Sequence, residues 1–553
     1  MKKHYLLLIV AIFICAAADA AERTWQQKRQ IAFSVLGKQA QTRAAQGGEL
    51  KLLKEAKSLS VLGYDGGGFA VISNDDRHEA VLGWSANKFD TDDMPDGLRW
   101  WLNAADEALS VKADYVRQYL PKDVDPSLPD AVQPMLKTVW GQSEPFNLLC
   151  PNKYPSGCVA TAMAQIMYYH KYPTQSTGMI ISNAGIIDLS EITYDYASML
   201  TDYRNADYTT EQGNAVATLM RYAGAAVYMN YTPTASGAYS VDAAVALRDN
   251  FSYNKNIAYR SRDYHTNADW MAMVYGELAA GRPILYGAQD AYDSGGHAFV
   301  FDGYSADGLV AVNWGWDGEG NDYYDIELLN PSMLGSSFQY SENQDMIMGI
   351  GLPDEAIEHR SELCCRGSLA AQYVGGELTL NLSELAFFNF NIYAFDGNIQ
   401  IKLDGDGGDR TLQTISFADE PISMFVRTSY GAQFYGGGIN RDYSSPLPSD
   451  LPDGTYTLYL AVQDGGYTEV TPISYAEGAT SYYTLTKSGS SVTLTPGKGS
   501  IPSGIESVTV LPGVADKLAD NKIYSIDGRY VGTDATQLPK GMYIRGGKKF
   551  VRR

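Results

Sequence analysis

Three prolines fall within the nine residues Pro121-Lys-Asp-Val-Asp-Pro-Ser-Leu-Pro129. Proline fixes φ and removes a backbone donor, so such a stretch can sit in neither a helix interior nor a central strand. It is expected to form an exposed, extended connector open to proteolysis, dividing the chain into a leading piece and a following one. At 553 residues the chain is also too long for one core, and several domains are expected.

Residues 1–20 read as a targeting segment. Lys2 and Lys3 give a positive start, Tyr5 to Cys15 form a short apolar run, and Ala18-Asp-Ala20 supplies the small-x-small pattern of a signal peptidase site. Ile14 stands where a lipoprotein signal needs a small residue before Cys15. No later stretch is apolar enough over a bilayer's thickness, so no transmembrane anchor is expected. The net charge of −21 excludes nucleic acid as a partner, because little here would neutralise phosphates.

Residues 21–130 begin amphipathically. Phe69 to Ser73 reads as a strand after Gly66-Gly-Gly68, with Ala80 to Trp84 as its neighbour, and apolar spacing predicts a helix over Leu98 to Leu120. Residues 131–355 mix helices and strands. Residues 356–498 alternate strand-like runs with Gly/Asp turns and predict a β-sandwich, which the chain's 40 tyrosines and 54 glycines suit. Residues 505–553 are enough only for a compact β module.

The chemistry concentrates in Tyr154-Pro-Ser-Gly-Cys158-Val-Ala-Thr-Ala-Met-Ala-Gln-Ile-Met-Tyr-Tyr-His170. A Pro/Gly turn running into strong helix formers places Cys158 at a helix N-terminus, where unpaired N–H groups and the helix dipole favour a thiolate. Ala160, Ala162 and Ala164 let that helix sit deep against a sheet. After the leader, four cysteines remain: Cys150, Cys158, Cys364 and Cys365. So few in an exported chain of this size suggest a thiol kept for reactivity. The alternatives are a Cys150–Cys158 bridge, which would abolish that reactivity, or a vicinal Cys364–Cys365 bridge.

A nucleophilic thiol needs a base, and only six histidines exist. His4 leaves with the leader. His170 lies on the Cys158 helix, roughly 18 Å along the axis and about 120° around, out of reach of the sulfur. His78 precedes the connector, His359 follows the central unit, and His265 stands in a polar loop. His297, in Ser294-Gly-Gly-His-Ala-Phe-Val-Phe-Asp-Gly303, opens an apolar strand after two glycines and is the preferred base. Downstream, Asn313 can hydrogen-bond an imidazole, and Trp314 and Trp316 can shield it from water. Gln142 is positioned in sequence to donate to an oxyanion together with the Cys158 backbone N–H. His and Cys are never grouped at ligand spacing, so neither a metal nor any other cofactor is expected.

Gln142-Ser-Glu-Pro-Phe-Asn-Leu-Leu149, Gly157-Cys158-Val-Ala-Thr-Ala-Met-Ala-Gln165, Gly295-Gly-His-Ala-Phe-Val300, Val312-Asn-Trp-Gly-Trp316 and Tyr324 to Pro331 together resemble the streptopain family of papain-like cysteine proteases. The resemblance covers about 131–353. It implies an α+β fold: a papain-like catalytic domain preceded by an α+β inhibitory propeptide and followed by all-β domains. It further implies Cys158 as nucleophile, His297 as base and then acid, Gln142 in the oxyanion hole, Trp314 holding the His297 ring with Asn313 beside it, and Ser236, Gly296 and Trp316 lining the substrate cleft. Cys150 is a departure from the family pattern. Gly67 to Arg77, Met94-Pro95 and Trp101-Leu102 resemble the family's inhibitory propeptide, so the chain's own 21–130 segment is expected to block the cleft. Ile523 to Arg529 and Leu538 to Ile544 are similar to the C-terminal sorting domains of Bacteroidetes type IX secretion cargo, which implies secretion machinery as a partner and the cell surface or medium as destination. The expected function is a secreted endopeptidase acting on proteins or peptides. The alternative is a secreted binding or adhesion protein carrying an inactive protease domain.

Overall fold

The computed structural model describes residues 21–39, 49–112, 114–182, 185–289, 296–330, 342–406, 408–423, 426–428, 431–433, 436–439, 441–501, 523–525, 530–532, 541–545 and 548–552. The leader, and much of the terminal segment carrying the sorting-domain resemblance, lie outside these residues. No helix among the described residues is long and apolar enough to cross a membrane.

Helix α1 (Trp25–Gln39) leads into four antiparallel strands, β1 (Lys51–Glu55), β2 (Leu59–Gly63), β3 (Phe69–Ser73) and β4 (Val81–Ser85), and then helix α2 (Asp96–Val111). Helix α2 forms because Leu98, Trp101, Leu102, Ala105 and Leu109 make one buried stripe. It stops at Val111, short of the expected Leu120. Lys112 is already extended, and the following residues are drawn onto Asp325 and Glu327, far downstream. The proline-rich stretch is likewise not extended throughout. Pro121 starts a single helical turn, α3 (Pro121–Val124), as proline favours at a first helical position. Pro121 and Leu128 are buried, while 125–127 are exposed.

The next unit carries α4 (Cys158–His170), a small hairpin of β5 (Met179–Ser182) and β6 (Gly185–Asp188), α5 (Thr210–Ala226), α6 (Ser240–Asp249), β7 (Ala258–Ser261), α7 (Asn267–Ala279), β8 (Ile284–Gln289), β9 (Gly296–Tyr304), β10 (Val310–Asn313), β11 (Asp322–Tyr324) and β12 (Glu342–Met348). The strands of both units join one ten-stranded sheet in the order β1-β2-β3-β4-β11-β10-β9-β8-β12-β7. The seam is the β4–β11 pair, Trp84 opposite Tyr323 and Gly83 opposite Tyr324. Gly83 is required there, because a Cβ would fall 2.7 Å from the Tyr324 ring. The leading unit also shares a core with its neighbour: Phe69, Val71, Leu98 and Trp101 pack in one cluster with Tyr286, Phe299, Phe301 and Tyr324.

Across the sheet, α4 lies against β9 with Ala160 and Ala164 fully buried and Ala162 nearly so. The small side chains permit that close approach, as the sequence predicts. The described residues of 363–498 are strand and turn, with no helix among them. A sheet centred on Asn398–Gly405 and Gly454–Gln463 shares a core with smaller sheets holding Leu363–Arg366 and Glu377–Leu380, which fits the expected all-β character. Its junction with the preceding unit joins an apolar contact, Phe390 stacked on Tyr259, to a buried ionic one: Glu362, 2% exposed at its side chain, pairs with Arg260 at 3.2 Å and His265 at 2.7 Å. The four strands described after residue 522 form one antiparallel sheet. All four cysteines are free thiols, so neither bridge considered above is present.

Candidate active site

Cys158 is the first residue of α4. Gly157 before it has φ +90°, a region favouring glycine. A Cβ there would lie 2.6 Å from Met229 Sδ and 3.0 Å from the Ser236 carbonyl. The approach to the thiol is therefore walled on one side by the 229–236 loop, and Ser236 is buried within it. Gln142 is brought in by a backbone bond: the Ser156 N–H donates to the Gln142 carbonyl at 3.0 Å. This sets the residue beside the turn that ends in Cys158.

The Cys158 sulfur accepts the backbone N–H of Ala298, the residue after His297 on β9. His297 is the second residue of that strand, half-buried and opposite Ala288, with Gly296 exposed ahead of it. The expected nucleophile and the expected base thus stand on adjoining elements, one at a helix start and the other near a strand start. Burial is the largest influence on the thiol and raises its pKa. The N–H groups of Ala298, Val159 and Cys158 itself act downward, and the Asp96 carboxylate acts upward.

Beneath the site, Asn313 is engaged by three partners. Its Oδ1 accepts from Gln165 Nε2 at 3.1 Å and the Gly315 N–H at 3.0 Å, and its Nδ2 donates to the Thr138 carbonyl at 2.9 Å. Thr138 Oγ1 closes the ring on Gln165 Oε1 at 2.7 Å. This buried network ties α4 to the turn after β10, and nothing in the sequence had pointed to Thr138 or Gln165 for that task. Trp314 is fixed through its indole N–H on the Gly320 carbonyl, 3.0 Å, and its ring packs edgewise on Phe299 and Tyr324. Trp316 is half-buried, and its indole N–H points to Asp93 Oδ1 at 3.4 Å.

Asp93 belongs to the leading unit, and it is not alone there. Gly97, in the first turn of α2, faces the Trp314 ring so closely that a Cβ would meet Cε3 at 2.7 Å. Lys88 pairs with Glu319 at 3.1 Å. The start of α2 therefore lies over the Trp314–Glu319 turn, with Asp96 near enough to act on the thiol. The other histidines have their own settings. His265 lies at the junction with the sandwich, and His359 bonds Asp464 at 2.5 Å. His170 bonds the Tyr253 hydroxyl at 3.2 Å, with its pKa pushed down to about 4 by burial. His78 touches the Lys112 carbonyl at 3.1 Å. Among the described residues no His, Cys, Asp and Glu group suits a metal ion.

Two family models match different parts of the chain. Residues 140–324 match the peptidase C10 family, and residues 21–109 match the Spi protease inhibitor family. The thiol protease/hemagglutinin PrtT of Porphyromonas gingivalis is 34% identical over 311 residues, 51% of this chain but only 36% of that protein. A solved prointerpain A fragment of Prevotella intermedia is 39% identical, covering 55% of this chain and 99% of its own, with a TM-score of 0.50. Streptopain of Streptococcus pyogenes is 30% identical over 328 residues, covering 52% of this chain and 78% of its own. On that coverage, the chain belongs to the peptidase C10 family of cysteine proteases.

Proposed function

We propose that this chain is an exported cysteine endopeptidase, made as a zymogen, whose papain-like catalytic domain cleaves peptide bonds through Cys158 and His297. One observation carries the reading: the Cys158 sulfur sits at a helix start against the Ala298 N–H, one residue from His297.

In the proposed reaction His297 takes the thiol proton and the thiolate adds to the scissile carbonyl. The oxyanion that forms is held by the Cys158 N–H and the Gln142 side chain. His297 then gives its proton to the leaving amine, and water releases the acyl group from sulfur. Trp314 keeps water from the imidazole, Asn313 holds the Trp314–Gly315 turn in place, and Ser236, Gly296 and Trp316 line the cleft for a protein or peptide substrate. The 21–130 segment inhibits by covering the cleft. The leader exports the chain, and the terminal module hands it to the secretion machinery for passage to the surface or medium.

In the matured enzyme, His297→Ala should lower kcat on casein by on the order of 10³-fold or more. Gln142→Ala should lower kcat by about 10²–10³-fold with little change in KM. Unchanged hydrolysis by the His297 variant would end this assignment.

The thiol should also respond to unmasking. The covering segment contributes the Asp96 carboxylate, which raises the thiol pKa, while the three N–H groups that lower it remain after the segment leaves. The pKa should therefore fall on maturation. Iodoacetamide alkylation of Cys158 against pH should show a lower midpoint in the matured enzyme than in the precursor, and equal midpoints would contradict the arrangement.

A further inference from the structure

Residues 115–129 lie before the domain boundary read from the sequence, yet most of their contacts are with the body that carries Cys158. The Arg117 side chain is 5% exposed. Its Nε donates to Asp325 Oδ2 at 3.0 Å, its Nη1 to the Asp307 carbonyl at 2.5 Å and its Nη2 to the Val81 carbonyl at 3.0 Å. The Tyr115 hydroxyl donates to the same Asp325 oxygen at 2.9 Å. The N–H groups of Gln118 and Tyr119 converge on the Glu327 carboxylate at 3.1 Å and 2.8 Å. The Tyr275 hydroxyl donates to the Tyr119 carbonyl at 3.0 Å. Asp325 and Glu327 are 0% and 1% exposed, so this stretch covers two carboxylates of the catalytic body, pairing Asp325 with a guanidinium and Glu327 with backbone N–H groups. Further on, the Tyr304 hydroxyl donates to the Pro129 carbonyl at 3.1 Å, anchoring the far end.

Few ties run back to the leading unit: His78 to the Lys112 carbonyl, the Glu79 N–H to the Tyr115 carbonyl, and Arg117 to the Val81 carbonyl. Val111, at the end of α2, is 58% exposed. A cut at 122–127 would leave Arg117 and Tyr115 on the departing piece, whose exit must then pull a buried guanidinium from a buried carboxylate. Separating such a pair is among the costliest disruptions available. A cut at the end of α2 leaves that pair intact, while the shared core and the β4–β11 pairing are given up by either cut.

We infer that the activating cut falls at the exposed end of α2, at Val111–Lys112, and that residues 115–129 stay with the mature enzyme as an N-terminal strap clasped by Arg117 on Asp325. Water adds across the bond, leaving a Val111 carboxylate and a Lys112 amine. The catalyst is the thiol chemistry proposed above, on which this step rests. A cut in the 122–127 loop is silent, because the covering segment keeps its hold through the strap.

Two measurements test this. N-terminal sequencing of the self-matured chain 21–553 should give a start at Lys112 or another residue before Tyr115. A start within 122–131 would overturn the inference. The second measurement needs no activity. In a Cys158→Ala chain, the recognition sequence of an unrelated protease is inserted after Val111 or substituted for 122–127, and each variant is cut. The N-terminal fragment should separate on size exclusion at a lower urea concentration when cut after Val111. Equal or reversed urea requirements would overturn the strap. If the wild-type chain never matures while the urea difference holds, the protease reading fails and the strap stands.

Discussion

Cys158→Ala should yield a full-length precursor that never matures on its own and hydrolyses casein at least on the order of 10³-fold more slowly than the wild-type chain. The substitution removes one sulfur from a first-turn position where alanine is the best helix former, so the fold should be retained. The Ala298 N–H and the first amides of α4 would remain in place with no thiol to act on. Wild-type processing kinetics in that variant, purified and alone, would show that another group or a contaminating protease does the cutting. Far-ultraviolet circular dichroism and an unchanged Tm separate loss of chemistry from loss of fold.

Gly97→Leu should have the second largest effect, in the opposite direction. The first turn of α2 reaches the Trp314 ring only because residue 97 has no side chain. Even a Cβ would fall 2.7 Å from Trp314 Cε3 and 3.2 Å from Phe299 Cδ1, and both rings are packed against further aromatics. Neither ring can swing aside cheaply, so the helix start must lift. Overpacking of this kind costs about 1–3 kcal/mol, which is a weakening of the cover by roughly 5-fold to 150-fold. The Gly97→Leu precursor should react with a thiol-directed epoxide at Cys158 faster than wild type by that factor and mature sooner. Gly276→Ala is the matched control, since a Cβ there meets nothing within 4 Å. Wild-type labelling by the Gly97 variant would mean that the start of α2 does not govern access to the thiol.

What the sequence disclosed was local. The turn Tyr154-Pro-Ser-Gly157 followed by helix formers specifies where α4 begins, and with it the setting of Cys158, without reference to anything distant. His297 emerged by elimination because histidines are few and a glycine pair followed by an apolar run marks a strand start. The β-rich character of 363–498 was legible for the same reason: alternation and turn residues act over short range. The misses were nonlocal. Tyr115 continues an apolar spacing that suits a longer α2, but Asp325, 210 residues on, captures its hydroxyl and holds the chain extended. Nothing in Val81–Ser85 announces that its free edge pairs with Asp322–Tyr324, because partner choice at a sheet edge is a tertiary decision. Pro121 suits a helix start as well as an extended connector, and only the structure shows that it begins a helical turn. Gly97 looks like an ordinary weak point in a helix until the Trp314 ring is seen against it.

The same distinction separates the site from its cover. The side chains proposed to do chemistry sit in short motifs with strong local constraints, whereas those proposed to cover them, Lys88, Asp93, Asp96 and Gly97, carry no motif of their own. Their meaning lies in the Trp314–Glu319 turn they face. The Asn313–Thr138–Gln165 network is intermediate. Asn313 stands out in sequence beside two tryptophans, but its partners come from an extended stretch and from the buried side of α4.

The central claim is that Cys158 is the nucleophile, and the most direct test is covalent. The chain 21–553 is allowed to mature, treated with a thiol-reactive epoxide of the kind that inactivates papain-like proteases, and mapped by mass spectrometry while casein hydrolysis is followed in parallel. One adduct per chain on Cys158, accumulating in step with loss of hydrolysis, is the expected result. Loss of hydrolysis with Cys158 unmodified, or complete modification of Cys158 with hydrolysis intact, would contradict the account.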